Sequence, residues 1–85
     1  MPATAERQQL TEVLLEAVER TNFSSAEQLD RIERLISTRE ELERYIAILM
    51  EKANGMTFPG RHLLDRLERL LRVLQRVDEE TRSER

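Results

Sequence analysis

Eighty-five residues, 39% of them hydrophobic and 36% charged, restrict the chain to one small domain near the lower limit at which a single core is stable. Two Gly and two Pro argue against a turn-rich sheet fold, and the absence of cysteine excludes a disulfide framework, a thiolate nucleophile and a Cys-based zinc site. The net charge of −3, with Lys52 the only lysine among fourteen basic residues, argues against a general polyanion binder.

The first predicted helix spans about residues 4–21. At about 100° per residue, Leu10, Val13, Leu14, Ala17 and Val18 share one face, with Glu and Gln elsewhere. The pattern breaks at Thr21-Asn22-Phe23-Ser24, and Ser24 with Glu27 reads as a capping box opening a second helix over about residues 25–53. Its inner face carries Leu29, Ile32, Leu35, Ile36, Leu42, Ile46, Leu49, Met50 and Ala53, and Asn54-Gly55 is placed to supply a left-handed C-terminal cap. Arg39 and Glu43 fall near the centre of that same face. Three readings account for them. The helix breaks near Ser37, where Ser37 and Glu40 form another capping box; or the pair is a half-solvated polar layer at a subunit edge that sets pairing specificity; or the two face inward in a polar pocket.

Met56 to Gly60 forms the next connection, with Pro59 placed to open a third helix over about residues 60–81. Leu63, Leu67, Leu70, Leu74 and Val77 alternate by four and three residues, a heptad seam widened by Leu64 and Leu71. Such a seam needs a partner surface along the whole helix; the first helix covers only part of it, and the second helix or another subunit must cover the rest. The expected fold is therefore all-α: a three-helix antiparallel bundle built on a long helical hairpin, with a break in the second helix near Ser37 as the open question. Residues 1–85 are expected to form a single domain, with the last residues, 82–85, fraying. Homo-oligomerisation, with a dimer favoured, would cover the remaining seam.

One segment occurs twice. Leu29-Asp30-Arg31-Ile32-Glu33-Arg34-Leu35-Ile36 returns 35 residues later as Leu64-Asp65-Arg66-Leu67-Glu68-Arg69-Leu70-Leu71, with six positions identical. Phe23 and Phe58 precede the two copies by the same spacing. A solenoid needs about three or more such units to bury a continuous core, so two copies support a helical hairpin and no named repeat architecture.

Little in the chain carries chemistry. His62 is the only histidine, so a two-histidine metal site such as HExxH is impossible, no Gly-rich phosphate loop occurs, and no cofactor is expected. Residues 60–77 hold five Arg against Asp65 and Glu68, and Arg61, Arg69, Arg72 and Arg76 lie opposite the leucine seam. That stripe suggests nucleic acid as one alternative partner, but Asp65–Arg69 and Glu68–Arg72 stand at i,i+4 and can pair along the helix. No apolar run approaches the ~18–20 residues of a membrane span, and a cytoplasmic protein is expected.

The stretch Leu29 to Leu42, LDRIERLISTREEL, resembles the long first helix of small all-helical chorismate mutases, which place Arg and Lys inside a dimeric bundle. That resemblance implies a helical enzyme with Arg39 in its pocket. The match covers fourteen residues, and the family's mid-helix lysine is missing, since Lys52 sits near a helix end. The residues themselves favour a non-catalytic protein-interaction module: an adaptor, a regulator or a subunit of a larger assembly. Tyr45, Met56, Phe58 and Pro59 are the candidate partner surface, because large apolar groups outside the seam need a reason to be exposed. Arg39 and Glu43 are the candidate polar specificity layer.

Overall fold

The computed structural model of the chain describes residues 2–21, 25–57 and 59–83. Among them four helices follow one another: α1 (Pro2–Arg20), α2 (Ala26–Leu35), α3 (Arg39–Asn54) and α4 (Arg61–Ser83). The three-helix expectation is thus corrected to four, because the long second helix is two helices meeting at Ile36-Ser37-Thr38.

The break is written in side-chain hydrogen bonds. Thr38 is extended (φ −122°, ψ 158°); its hydroxyl accepts from the Glu41 N–H at 3.1 Å, while Glu41 Oε1 accepts from the Thr38 N–H at 3.2 Å. The same carboxylate oxygen accepts the Ser37 N–H at 2.9 Å. The capping box is therefore Thr38–Glu41, one residue later than Ser37–Glu40. Glu41 is buried where its carboxylate can gather these donors, whereas Glu40 is exposed. The start of α2 is displaced in the same way: Ser25 accepts from the Gln28 N–H and Gln28 returns the bond, each at 3.1 Å, while Ser24 lies outside the described residues.

A broken helix leaves carbonyls without intrahelical donors, and α1 supplies them. Arg7 donates to the Arg34 carbonyl at 2.7 Å, and Thr11 Oγ1 lies 3.4 Å from the Leu35 carbonyl while bonding its own Arg7 carbonyl at 2.9 Å. This docking fixes the rotation of α1. Thr11, Leu15 and Val18, at i, i+4 and i+7, are buried, while Leu10 and Val13 of the expected apolar face lie in solvent.

α3 is the central element. It packs against α1 on one side and α4 on the other, α1 packs against α2, and among the described residues no backbone approach within 8 Å joins α4 to α1 or α2. Leu42, Tyr45, Ile46, Ile48 and Leu49 of α3 meet Leu15 and Val18, Leu29 and Ile32, and Leu67 and Leu70 in one core. The seam of α4 is therefore covered by α3, not by α1. At about 1.5 Å per residue, α4 is about 35 Å long and α3 about 24 Å. The radius of gyration is 13.7 Å, against the about 12 Å typical of a compact domain of this length. Extents of 42 × 30 × 17 Å describe a flattened molecule about two helices thick.

The turn between α3 and α4 also departs from expectation. Gly55 is right-handed (φ −80°, ψ −6°), and its N–H bonds the Glu51 carbonyl at 3.1 Å, so no left-handed cap forms. The Gly60 carbonyl receives the Leu64 N–H at 3.1 Å and starts α4, two residues behind which Pro59 stands outside the helix.

Candidate functional site

A largely enclosed polar constellation joins α2, α3 and α4. Glu33, 16% exposed, comes from the first copy of the repeated segment, and Arg66, 12% exposed, from the second. Arg66 Nη1 donates to Glu33 Oε2 and to Asp30 Oδ1, the latter at 3.0 Å, and Arg69 Nη2 donates to Glu33 Oε1 at 2.8 Å. The two copies thus bind each other, acids of the first to arginines of the second. Tyr45, with 0% exposure, stands beneath them and donates its hydroxyl to Glu33 Oε2 at 2.7 Å.

Electrostatics lock these groups. Burial pushes the Tyr45 phenol far above its ordinary value, the hydrogen bond and charge of Glu33 push the same way, and Arg66 opposes them only in part. Burial pulls the Arg66 guanidinium down, but the bonds to Glu33 and Asp30 outweigh it and the net direction is upward. A phenol that keeps its proton and a guanidinium that keeps its charge do not exchange protons near neutrality. The arrangement is a clamp: it ties α4 to α2, whose backbones do not touch.

The residues marked in the sequence are distributed elsewhere. Tyr45, expected on an exposed partner surface, is core, because the break at residues 36–38 turns the α3 stripe so that Tyr45 faces α2. Met56 is exposed and Pro59 half-buried, while Phe58 lies outside the described residues. Arg39 and Glu43 are each 46% exposed, so the enclosed polar pocket implied for Arg39 by the chorismate mutase resemblance does not form. Arg39 bonds Glu43 Oε1 and Asp78 Oδ1, each at 2.5 Å, and the Asp78 bond is the main reason its basicity is raised. Of the seam, Leu67 and Leu70 are buried and Leu63, Leu74 and Val77 half-buried. His62 is exposed in the first turn of α4.

The Arg39–Asp78 bridge fixes how the α3·α4 hairpin is aligned and marks one of its flanks. Counting from it at about 100° per residue, Met50 falls on the same side of α3 as Arg39, and Leu64 and Leu71 on the same side of α4 as Asp78. All three are substantially exposed, Met50 at 50% and Leu71 at 45%. In the opposite stripe of arginines, Arg61 pairs with Asp65, Arg69 with Glu33 and Arg72 with Glu68, while Arg76 is exposed.

A separate groove of about 260 Å³ opens at the hairpin's closed end, where the end of α1, the start of α2 and the α3–α4 turn converge. Among the described residues no group of three His, Cys, Asp or Glu could hold a metal ion, and no helix is long and apolar enough to cross a membrane. Neither the clamp nor the groove is legible in the sequence, where Glu33 and Arg66 belong to a solvated face; only the tertiary structure, which brings Glu33, Tyr45 and Arg66 together, shows them enclosed. No protein-family model matches the chain, and no curated protein or solved structure matches it.

Proposed function

We propose that this chain is a small non-catalytic interaction module that acts by binding protein, in the first place a second copy of itself, as an adaptor, regulator or subunit of a larger assembly. The observation that carries the reading is the apolar flank of Met50, Leu64 and Leu71 beside a half-covered helix. α4 has only α3 as a backbone neighbour among the described residues, and three large aliphatic groups on one side of a flattened 85-residue molecule leave a face whose burial would add to a modest core. The Arg39–Glu43–Asp78 ion cluster borders this flank and would penalise misaligned pairings, the role the sequence suggested for a polar layer. A locked Tyr–Glu–Arg clamp supports stability and not turnover. Sedimentation velocity across micromolar concentrations tests this. The natural chain should sediment above its 10.1 kDa monomer mass, and Leu64→Glu with Leu71→Glu should return it to the monomer with its helical content unchanged. A well-folded natural monomer throughout would overturn the self-association.

A further inference from the structure

Resting on that reading, we infer that the groove at the closed end of the α3·α4 hairpin receives a partner's acidic peptide segment, seated by an apolar anchor side chain. Leu29, Leu49 and Leu63 line the groove, and its rim carries Lys52, His62 and Arg66, with no carboxylate among the described lining residues. That imbalance stands out in a chain with seventeen acidic residues against fourteen basic ones. The charge of Arg66 is already met by Glu33 and Asp30. Lys52 differs: its ammonium bonds the Thr21 carbonyl at the end of α1, and among the described residues no carboxylate lies within ion-pair reach of it. A carbonyl satisfies one of its three donors and brings no opposite charge; Glu19 and Glu51 line an adjoining cleft with Lys52 but form no ion pair with it.

Cofactors and drug-sized ligands occupy ~300–1,000 Å³, and a half-open groove of about 260 Å³ lies at the lower edge of that range. It suits one or two large side chains, the scale of an interface anchor surrounded by a polar rim. Among the described residues the backbones of α2 and α4 stay apart beside the groove, and the long side chains of the clamp span the gap between them. The clamp therefore holds the groove open in the folded state, and little reorganisation is needed to fill it. An apolar anchor buries against the leucines, and an Asp or Glu beside it in the peptide pairs with Lys52 at the rim.

The test uses a fluorescein-labelled peptide with Leu and Phe at i, i+3 and i+4 and Asp or Glu elsewhere, followed by fluorescence anisotropy on the full chain at low and moderate salt. Saturable binding that weakens as salt rises is expected, together with a loss of about fivefold or more in affinity for Lys52→Glu. Met56→Asp, in the exposed turn that lines the groove, should weaken binding comparably without moving the thermal melt. This second variant decides the matter if Lys52→Glu disturbs the α1 end it caps. Equal binding of a peptide with Lys in place of every acid overturns the proposal, as does full affinity in Met56→Asp. So does binding of decanoate but not of the peptide, which would make the groove a site for a small amphiphile. Sedimentation depends on the Met50–Leu71 flank, so a groove that fails with oligomerisation intact leaves the module reading standing, and the converse result leaves the groove standing.

Discussion

Glu33 accepts three hydrogen bonds from three side chains on two other helices. Its removal would leave Arg66 mostly buried and the Tyr45 hydroxyl fully buried without their common acceptor. Glu33→Ala should cost about 3 kcal/mol in denaturant unfolding, the scale of breaking an enclosed ion pair from one side. Tyr45→Phe keeps the ring in the core and removes one bond, so about 1 kcal/mol is expected. The same tyrosine makes an alkaline prediction. Its ordinary value is 10.0 and the folded value lies well above that. Below pH 10 both states hold the proton and the contribution of the neutral phenol is complete. As pH rises beyond 10 the unfolded chain releases a proton that the folded chain retains. Stability should then fall by up to about 1.4 kcal/mol per pH unit until the folded phenol also ionises. Because Tyr45 is the only tyrosine, phenolate absorbance reports it directly; the chain should ionise cooperatively with unfolding, and Tyr45→Phe should lose this part of the pH slope. Ionisation near pH 10 without unfolding would contradict the enclosed geometry.

At the scale of the element, the two copies of the repeated segment have different fates. The first ends a ten-residue helix at Leu35, while the second sits inside a helix of 23 residues. The cause lies in the residues just C-terminal to each copy: Ser37-Thr38 with Glu41 offers the backbone a capping box, whereas Arg72-Val73-Leu74 continues the helix. Thr38→Ala should destabilise by about 1 kcal/mol through loss of the cap. Replacing Arg39 and Glu43 by Leu separates two states of the chain. In the monomer both groups are half in solvent, so the double variant gains little stability and should scatter light as it aggregates. If the flank pairs with a second copy, the same variant should stay soluble and lose specificity of pairing. Leu67→Ala, at the centre of the α3·α4 contact, should cost roughly 2–5 kcal/mol, while Arg72→Ala, an exposed i,i+4 pair, should cost less than about 0.5 kcal/mol. Equal losses at both sites would mean that the outer Arg stripe is buried in an assembly.

For the whole molecule, the flattened shape comes from the order of packing. α2 packs on α1, and α1 and α4 pack on α3, so among the described residues the core is a chain of contacts in which α4, at one end, has a side free. Leu10 and Val13 on α1, and Met50, Leu64 and Leu71 on the hairpin, are what that topology leaves in solvent. A helix closing over either flank would have made an ordinary bundle; α2 instead packs on α1, and the break at residues 36–38 frees α3 to leave in a different direction and pack on α1 and α4. Oligomer formation should therefore raise thermal stability with concentration, since a partner that binds only the folded chain shifts unfolding by mass action. A melting temperature independent of concentration across the range where sedimentation shows assembly would contradict coupling between the two.

Helix content, the α4 seam and the places where α1 and α3 stop, near residues 21 and 54, were determined by the sequence alone, because periodicity acts over a few residues; the cap chemistry was not, since Ser25 with Gln28 opens α2 and Gly55 is right-handed. Leu67 and Leu70 could be named as core from their spacing, and the exposure of His62 from its place in a first turn. The choice between a continuous and a broken second helix was only half legible. Two adjacent capping boxes compete there, and the winner is the one whose glutamate is enclosed once α1 docks. The burial of Thr11 and Tyr45, the pairing of Glu33 with Arg66, and the exposed flank of Met50, Leu64 and Leu71 were decided by tertiary structure. A helical wheel ranks faces by hydrophobicity along one axis. Which part of an amphipathic arc is buried depends on where neighbouring helices sit, and that is set by contacts between residues far apart in the chain.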